Sequence, residues 1–226
     1  MPVSILFQDD QLVVVDKPPG LLSVADAARK EASVPEVLER EGLRALPVHR
    51  LDRDVSGVLL LARSEPARAR LADLFRERGL RKFYWALASG WLEPEQGKLT
   101  FPILEEPQGA RVSARGKPAR TLYRTLERCS PRAGARGARA KACELELELV
   151  TGRKNQIRVR LAHAGHPLIG ERKYASGRDS VLPLRSRRVA LHAARLAFDH
   201  PWSGARIEVV APLPADLVEL RERARG

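Results

Sequence analysis

The sequence predicts an α+β fold, a mainly antiparallel mixed sheet flanked by helices and loops. Three observations carry that expectation. The stretch Cys143-Glu-Leu-Glu-Leu-Glu-Leu149 alternates strictly, which is the two-residue period of a strand with one face on a core. Leu191 to Phe198 and Arg206 to Ala211 flank the turn-rich His200-Pro-Trp-Ser-Gly204, so they read as a hairpin. Helical spacing is confined to four separated segments, fewer than the strands, so helices flank a sheet instead of alternating with parallel strands.

From the N-terminus, Ile5 to Asp16 reads as two short strands around Asp9-Asp10. Lys17-Pro-Pro-Gly20 stops the second, because proline cannot donate to a ladder. Ser33-Val-Pro-Glu36 has the form of a capping box with an early proline and opens a helix to about Arg40. Val58 to Ala62 is a buried strand. Ser64 is the N-cap of a helix with Pro66 early in it and Gly79 ending it. Its apolar positions Ala67, Leu71, Leu74 and Phe75 fall at helical spacing.

Lys82 to Ser89 and Arg120 to Arg128 are further strands. Alternation in the 143–149 strand turns Glu144, Glu146 and Glu148 to water and the leucines to a core. Pro131 to Lys141 holds Arg132, Arg136, Arg139 and Lys141 with two glycines and no acid, and reads as a flexible basic loop. A helix from about Lys154 to Ala164 is stopped by Gly165 and Pro167, and Pro214 to Ala224 forms the last one. With no internal repeat and no linker, one catalytic domain over 1–226 is expected.

Composition narrows the function classes. The chain has 226 residues and 44% hydrophobic content, enough for a sizeable core. Its apolar runs are a few residues long, far short of the roughly 20 a membrane span needs. No apolar stretch follows Met1 as in a secretory signal, and Cys129 and Cys143 cannot build a disulfide framework or a thiolate cage. A soluble, cytoplasmic, monomeric protein is the expectation. Lys and Arg number 40 against 28 Asp and Glu, a net charge of +12, and thirty-two of the cations are arginine. Codon usage can favour Arg over Lys, but it does not explain the excess of base over acid. A polyanionic partner does, and arginine suits phosphate and stacked bases.

There is no Gly-x4-Gly-Lys-Ser/Thr loop and no dinucleotide fingerprint. His163 and His166 are close in sequence, but Gly165 breaks the helix between them and no Cys or acid completes a zinc set. Three dense segments remain. Pro47-Val-His-Arg-Leu-Asp-Arg-Asp-Val-Ser-Gly57 puts two acids, two arginines and a histidine at the lip of a buried strand. Asp52 and Asp54 there are possible but not indicated as a carboxylate dyad. In Arg81-Lys-Phe-Tyr-Trp-Ala86, alternation puts Lys82, Tyr84 and Ala86 on one side, where Tyr84 is either core or a stacking surface for a base. In Thr151 to Arg160, Gln156 and Arg160 share a helix face while Arg158 points elsewhere. One arginine can then turn inward to a buried carboxylate while others meet phosphate.

Taken together these segments resemble the RluA-like family of RNA pseudouridine synthases. His49-Arg-Leu-Asp52-Arg-Asp-Val-Ser-Gly57 is similar to its His-Arg-Leu-Asp-x-x-Thr/Ser-Ser-Gly signature, and Lys82 to Ala86 to its Lys-x-Tyr-x-Ala stretch. Thr151 to Val159 is similar to Thr-Gly-Arg-x-His-Gln-Ile/Leu-Arg-Val. Asp16-Lys-Pro-Pro-Gly20 and Gly165-His-Pro-Leu-Ile-Gly-Glu-x-x-Tyr174 match an early and a later run, and Leu191 to Ala194 and Pro201 to Gly204 lie where the family has His-Ala and a Pro-x-Thr/Ser-Gly turn. The likeness runs from about residue 10 to 212. Val55 stands where the family has Thr or Ser, and Asn155 where it usually has His, a change that bears on RNA contacts. No S4-like domain precedes the catalytic part, so recognition is expected from that part itself.

The resemblance implies the pseudouridine synthase catalytic fold and a reaction that breaks N1–C1′ of a uridine, turns the base and rejoins it through C5. No redox step is involved, so neither cofactor nor metal is expected, and the partner is ribosomal or transfer RNA. It implies Asp52 as the nucleophile, at C6 or C1′, and an aspartate is ionised at neutral pH with an unperturbed pKa of about 3.9. Arg158 is its implied partner in orientation and charge balance. Tyr84 would stack on the uracil and help remove the C5 proton. Arg50 would fill the space left by the flipped uridine, a step that costs a few kcal/mol, and Ile157 would pack beside the base. His49, Lys82 and Arg153 complete the implied substrate-binding set. A catalytically silent RNA binder and a metal-dependent nuclease using Asp52 and Asp54 are the competing readings.

Overall fold

The computed structural model describes residues 2–28, 30–77, 79–133, 138–175 and 184–226. The chain folds as two compact units, Met1–Lys82 with His192–Leu213, and Phe83–Leu191 with Pro214–Gly226.

The first unit opens with the expected hairpin, β1 (Ser4–Gln8) and β2 (Leu12–Lys17). Asp9 builds its turn by accepting the N–H groups of Gln11 and Leu12 on one carboxylate oxygen, at 2.7 and 2.9 Å. α1 (Val34–Arg40) starts at the capping box of Ser33 and Glu36. A two-residue β3 (Leu46–Pro47), not expected from sequence, pairs with β4 (Ser56–Ala62), which is buried along its whole length. α2 (Glu65–Arg76) is capped by Ser64 and lays Ala67 and Leu71 on a core of Leu12, Val14, Leu60 and Phe198. Full burial of Leu71 is worth about 2 kcal/mol on its own.

β5 (Leu80–Ser89) carries the chain into the second unit. There β6 (Gln96–Leu99), β7 (Ile103–Glu106) and β8 (Gly109–Val112) follow, three short strands that sequence alternation does not announce. β9 (Thr121–Cys129) comes next. β10 (Arg132–Ala133) and β11 (Ala138–Arg139) pair antiparallel where a loop was expected, while 134–137, with Arg136, lie outside the described residues. β12 (Ala142–Leu149) runs antiparallel to both β5 and β9, and β6 adds to β9. α3 (Gln156–His163) begins two residues later than its sequence signal, because Asn155 takes a left-handed conformation with φ 52°.

One alternation breaks. Glu144 is buried, whereas Glu146 is half-buried. A register shift in the β12–β9 ladder falls between Glu144 and Leu145. The Glu144 carboxylate accepts from Trp85 Nε1 at 2.6 Å and from Arg225 at 3.4 Å, so burial does not leave it unpaired.

The chain returns to the first unit with β13 (Leu191–Asp199) and β14 (Arg206–Val210), the expected hairpin. β2 pairs antiparallel with β4, and β4 parallel with β13, through His192 opposite Ser56 and Ala193 opposite Gly57. Gly57 has φ +113°, and a Cβ there would sit 2.2 Å from the Ala193 carbonyl oxygen. The closing Ser-Gly of the first motif is thus a packing requirement. Ser56 Oγ also meets His192 Nδ1 at 2.9 Å, and His192 Nε2 meets the Ala211 carbonyl at 3.2 Å. A carbonyl accepts only, so Nε2 carries the proton and Ser56 donates to Nδ1. α4 (Ala215–Arg225) closes the second unit with Leu217, Leu220 and Ala224 buried.

Candidate active site

Asp52 lies, half-buried, on the turn that leads into β4. Its carbonyl accepts the Val55 N–H at 3.0 Å, and Val55 is buried, which accounts for an apolar residue at that departure from the family pattern. The residues on either side are clamped. The buried Ser23 hydroxyl both donates to the Leu51 carbonyl and accepts the Leu51 N–H, each at 3.0 Å. The Arg53 carbonyl accepts from Gly20 N–H at 2.8 Å and from Lys17 Nζ at 3.0 Å. Lys17 is fully buried and also donates to the carbonyls of Pro18 and Leu21. The Asp16-Lys-Pro-Pro-Gly20 motif therefore holds the Asp52 turn, a role sequence reading did not assign to it. Arg53 pairs with Asp54 at 3.1 Å and Glu31 at 2.7 Å on the surface. Arg50 is exposed.

His49 and Lys82 meet through Phe75. The His49 ring lies 4.7 Å from that of Phe75, and Lys82 Nζ lies 5.5 Å from the same ring. His49 Nε2 accepts the Leu60 N–H at 3.0 Å, which fixes the imidazole as a neutral acceptor. Burial, and then the charge of Lys82, push His49 down to about 3, and burial lowers Lys82 as well. This gives His49 a structural bond that the sequence did not announce.

In the second unit Tyr84 is buried at 8% exposure on β5, opposite Leu147. Ile157 is buried in the first turn of α3. The turn before it is organised by Gln156, whose Oε1 accepts from Thr151 Oγ1 and Arg153 N–H at 2.9 and 3.0 Å. Its Nε2 donates to the Arg120 carbonyl and Thr121 Oγ1, both at 3.0 Å. Arg153 Nε donates to the Pro118 carbonyl at 3.3 Å.

Arg158 turns to a buried carboxylate, Glu171, with Nε–Oε2 2.7 Å and Nη2–Oε1 2.9 Å. Burial alone would raise the Glu171 carboxyl. The hydrogen bonds and charge of Arg158 and the N–H groups of Lys173 and Tyr174 outweigh it and hold the carboxyl below the ordinary glutamate range. Arg158 Cζ also lies 5.4 Å from the Tyr174 ring, and Asn155 Nδ2 donates to the Tyr174 hydroxyl. Asn155 is thus explained twice, by the left-handed φ that asparagine tolerates and by this bond. Arg160 is fully buried, on the carbonyls of Leu99, Phe101 and Ala119, and burial pulls it down to about 10. Glu171 was visible in sequence as the acid of Gly-Glu-x-x-Tyr, but its partner was not. His163 packs on Phe101 and His166 Nδ1 meets the Ser89 carbonyl, so each imidazole has its own structural neighbour.

With these positions in view, comparison with known proteins decides the family. The family model "RNA pseudouridylate synthase" matches residues 11–163. The chain belongs to that family. It is 35% identical to the ribosomal large subunit pseudouridine synthase D of Haemophilus ducreyi, over 98% of this chain and 70% of that one. It is 37% identical to the tRNA pseudouridine synthase C of Salmonella typhimurium, over 93% of this chain and 85% of that one. The solved structure of human RNA pseudouridylate synthase domain containing 4 shares the fold, with a TM-score of 0.77 and 24% identity over 98% of this chain and 92% of that one. The α+β class read from the sequence is that of this fold.

Proposed function

We propose that this pseudouridine synthase converts a uridine of structured ribosomal or transfer RNA to pseudouridine with Asp52 as its nucleophile. Family membership makes the chain an isomerase acting on RNA. The relatives named for ribosomal large subunit and for tRNA support either RNA as substrate. The observation that carries Asp52 is its seat. The peptide groups of Leu51 and Arg53 are held by Ser23, Gly20 and Lys17, so the turn between them is rigid before substrate arrives.

Asp52 attacks the uridine at C1′ or C6, N1–C1′ breaks, the uracil turns and C5–C1′ forms. The bond to Asp52 breaks and returns the free carboxylate, and the C5 proton leaves while N1 gains one. By the family resemblance Tyr84 stacks on the uracil, Ile157 packs beside it, and Arg158 supplies positive charge to the reaction. Arg50, exposed beside Asp52, enters the gap left in the RNA, and His49, Lys82 and Arg153 support the bound nucleotide. The catalytic domain spans 1–226 and works as a monomer in the cytoplasm. No helix among the described residues is long and apolar enough to cross a membrane.

Release of tritium from RNA labelled at uridine C5 tests the reading. Asp52→Ala is expected to abolish release while RNA affinity stays within about threefold of wild type, since a carboxylate contributes nothing to phosphate attraction. Measurable turnover by that variant refutes Asp52 as nucleophile, and a wild-type chain that binds RNA without release is a silent binder.

A further inference from the structure

Arg158 is the cation of the proposed reaction, and a second side chain decides where that cation points. We infer that Glu171 is a positioning residue whose buried carboxylate sets the plane and reach of the Arg158 guanidinium and acts on the reaction through it. The inference rests on the role given to Arg158 above.

Two bonds, Nε to Oε2 at 2.7 Å and Nη2 to Oε1 at 2.9 Å, join a planar fork to a planar carboxylate. Such a pair fixes direction as well as distance. The carboxylate is itself immobile. Its side chain is 0% exposed, and Oε1 also accepts the N–H groups of Lys173 at 2.8 Å and Tyr174 at 3.3 Å. Tyr174, from the same segment, lays its ring against the guanidinium. Glu171 grips the Nε and Nη2 edge, so the donors of the Nη1 edge are aimed by that grip.

Stability is a poor explanation for this arrangement, because the cost of desolvating two charges largely cancels their attraction. Arg160, two residues on, shows what a structural arginine does in α3: it donates to three backbone carbonyls. Arg158 instead meets a carboxylate along one edge of its guanidinium. A guanidinium held this way draws phosphate less strongly from a distance, while its charge and remaining donors stay aimed where the pair points them. The effect of Glu171 should therefore fall on the rate of the bound complex and not on RNA affinity.

The test is a double-mutant cycle of wild type, Glu171→Gln, Arg158→Lys and the double variant, read by single-turnover rate at saturating RNA, with RNA Kd and thermal melting on each. Glu171→Gln should slow the rate about a hundredfold, the scale of a misplacement of about 1 Å, with Kd changed less than about threefold. In the Arg158→Lys background the same substitution should change the rate less than about threefold, because its route is already broken. Glu171→Asp should recover part of the loss. An equal loss in both backgrounds, or a loss of affinity with the saturated rate intact, overturns the role of Glu171. A wild-type rate for Arg158→Lys overturns instead the role given to Arg158. If melting shows Glu171→Gln unfolded, Glu171→Asp runs the same cycle under the same criteria.

Discussion

At the Asp52 turn the main chain on either side is gripped, and at Arg158 the tip of the side chain is gripped. Ser23, Gly20 and Lys17 hold the carbonyls and N–H of residues 51 and 53, so the turn is fixed and the carboxylate is carried by it. Glu171 and Tyr174 hold the guanidinium directly, at the far end of a long flexible stem. The difference follows from side-chain length. An aspartate has two rotatable bonds, so fixing its backbone nearly fixes its oxygens. An arginine has four, and only a partner at the tip removes that freedom. Loss of a clamp in the first region should thus displace the whole turn, and in the second should redirect a single side chain.

Lys17→Met is the strongest way to break this contrast. The ammonium is fully buried on the carbonyls of Pro18, Leu21 and Arg53. Hydrogen bonds to charged groups are worth about 1.5–3 kcal/mol each, and a methionine leaves those carbonyls without that donor. Unfolding free energy should fall by about 3 kcal/mol or more, read from the urea midpoint and slope, and turnover should fall with it. Unchanged stability with lost turnover would move Lys17 from scaffold to chemistry.

Ser23→Ala is a milder version of the same cut. One hydroxyl is lost from both the N–H and the carbonyl of Leu51, which should cost about 1–2 kcal/mol. The Asp52 turn then loosens without unfolding. The single-turnover rate should drop about tenfold, a small part of the advantage that orientation can give, at unchanged RNA affinity. Equal rates for the variant and wild type would mean that the Lys17 side of the clamp is sufficient.

How far this was legible in the sequence depends on how local each cause is. The β1–β2 turn at Asp9, the caps at Ser33 and Ser64 and the β13–β14 hairpin are specified by neighbours within a few residues, and each was read correctly. The short strands β6, β7 and β8 are too brief for a period and exist because a partner strand supplies their register. Glu144 reads as exposed by alternation, yet Trp85 and Arg225 make it an internal acceptor from 59 and 81 residues away. The same holds at the candidate site. The resemblance to the family's motifs points to Asp52 and Arg158, but Ser23 reaches Leu51 across 28 residues and Lys17 reaches Arg53 across 36. The residues proposed for the chemistry are legible as family motifs, while what Lys17, Ser23 and Glu171 hold is visible only in the fold.

His49 offers the finest test of the first region, because its grip has a pH signature. Its Nε2 accepts the Leu60 N–H at 3.0 Å, and a protonated ring cannot accept. Burial and the nearby charge of Lys82 put its folded pKa at about 3, against about 6.5 in an unfolded chain. Between those values the unfolded state binds a proton that the folded state refuses. The stabilisation is therefore complete above about pH 6.5 and is lost as pH falls toward 3, by up to about 1.4 kcal/mol per pH unit. In His49→Phe the lost Leu60 bond is a constant offset, so the readout is the slope. Between pH 6 and 5 wild type should lose about 1 kcal/mol more than the variant, measured by urea unfolding. Parallel slopes would mean that the imidazole protonates in the folded protein, which requires the Leu60 bond to open and removes the fixed acceptor assigned to His49.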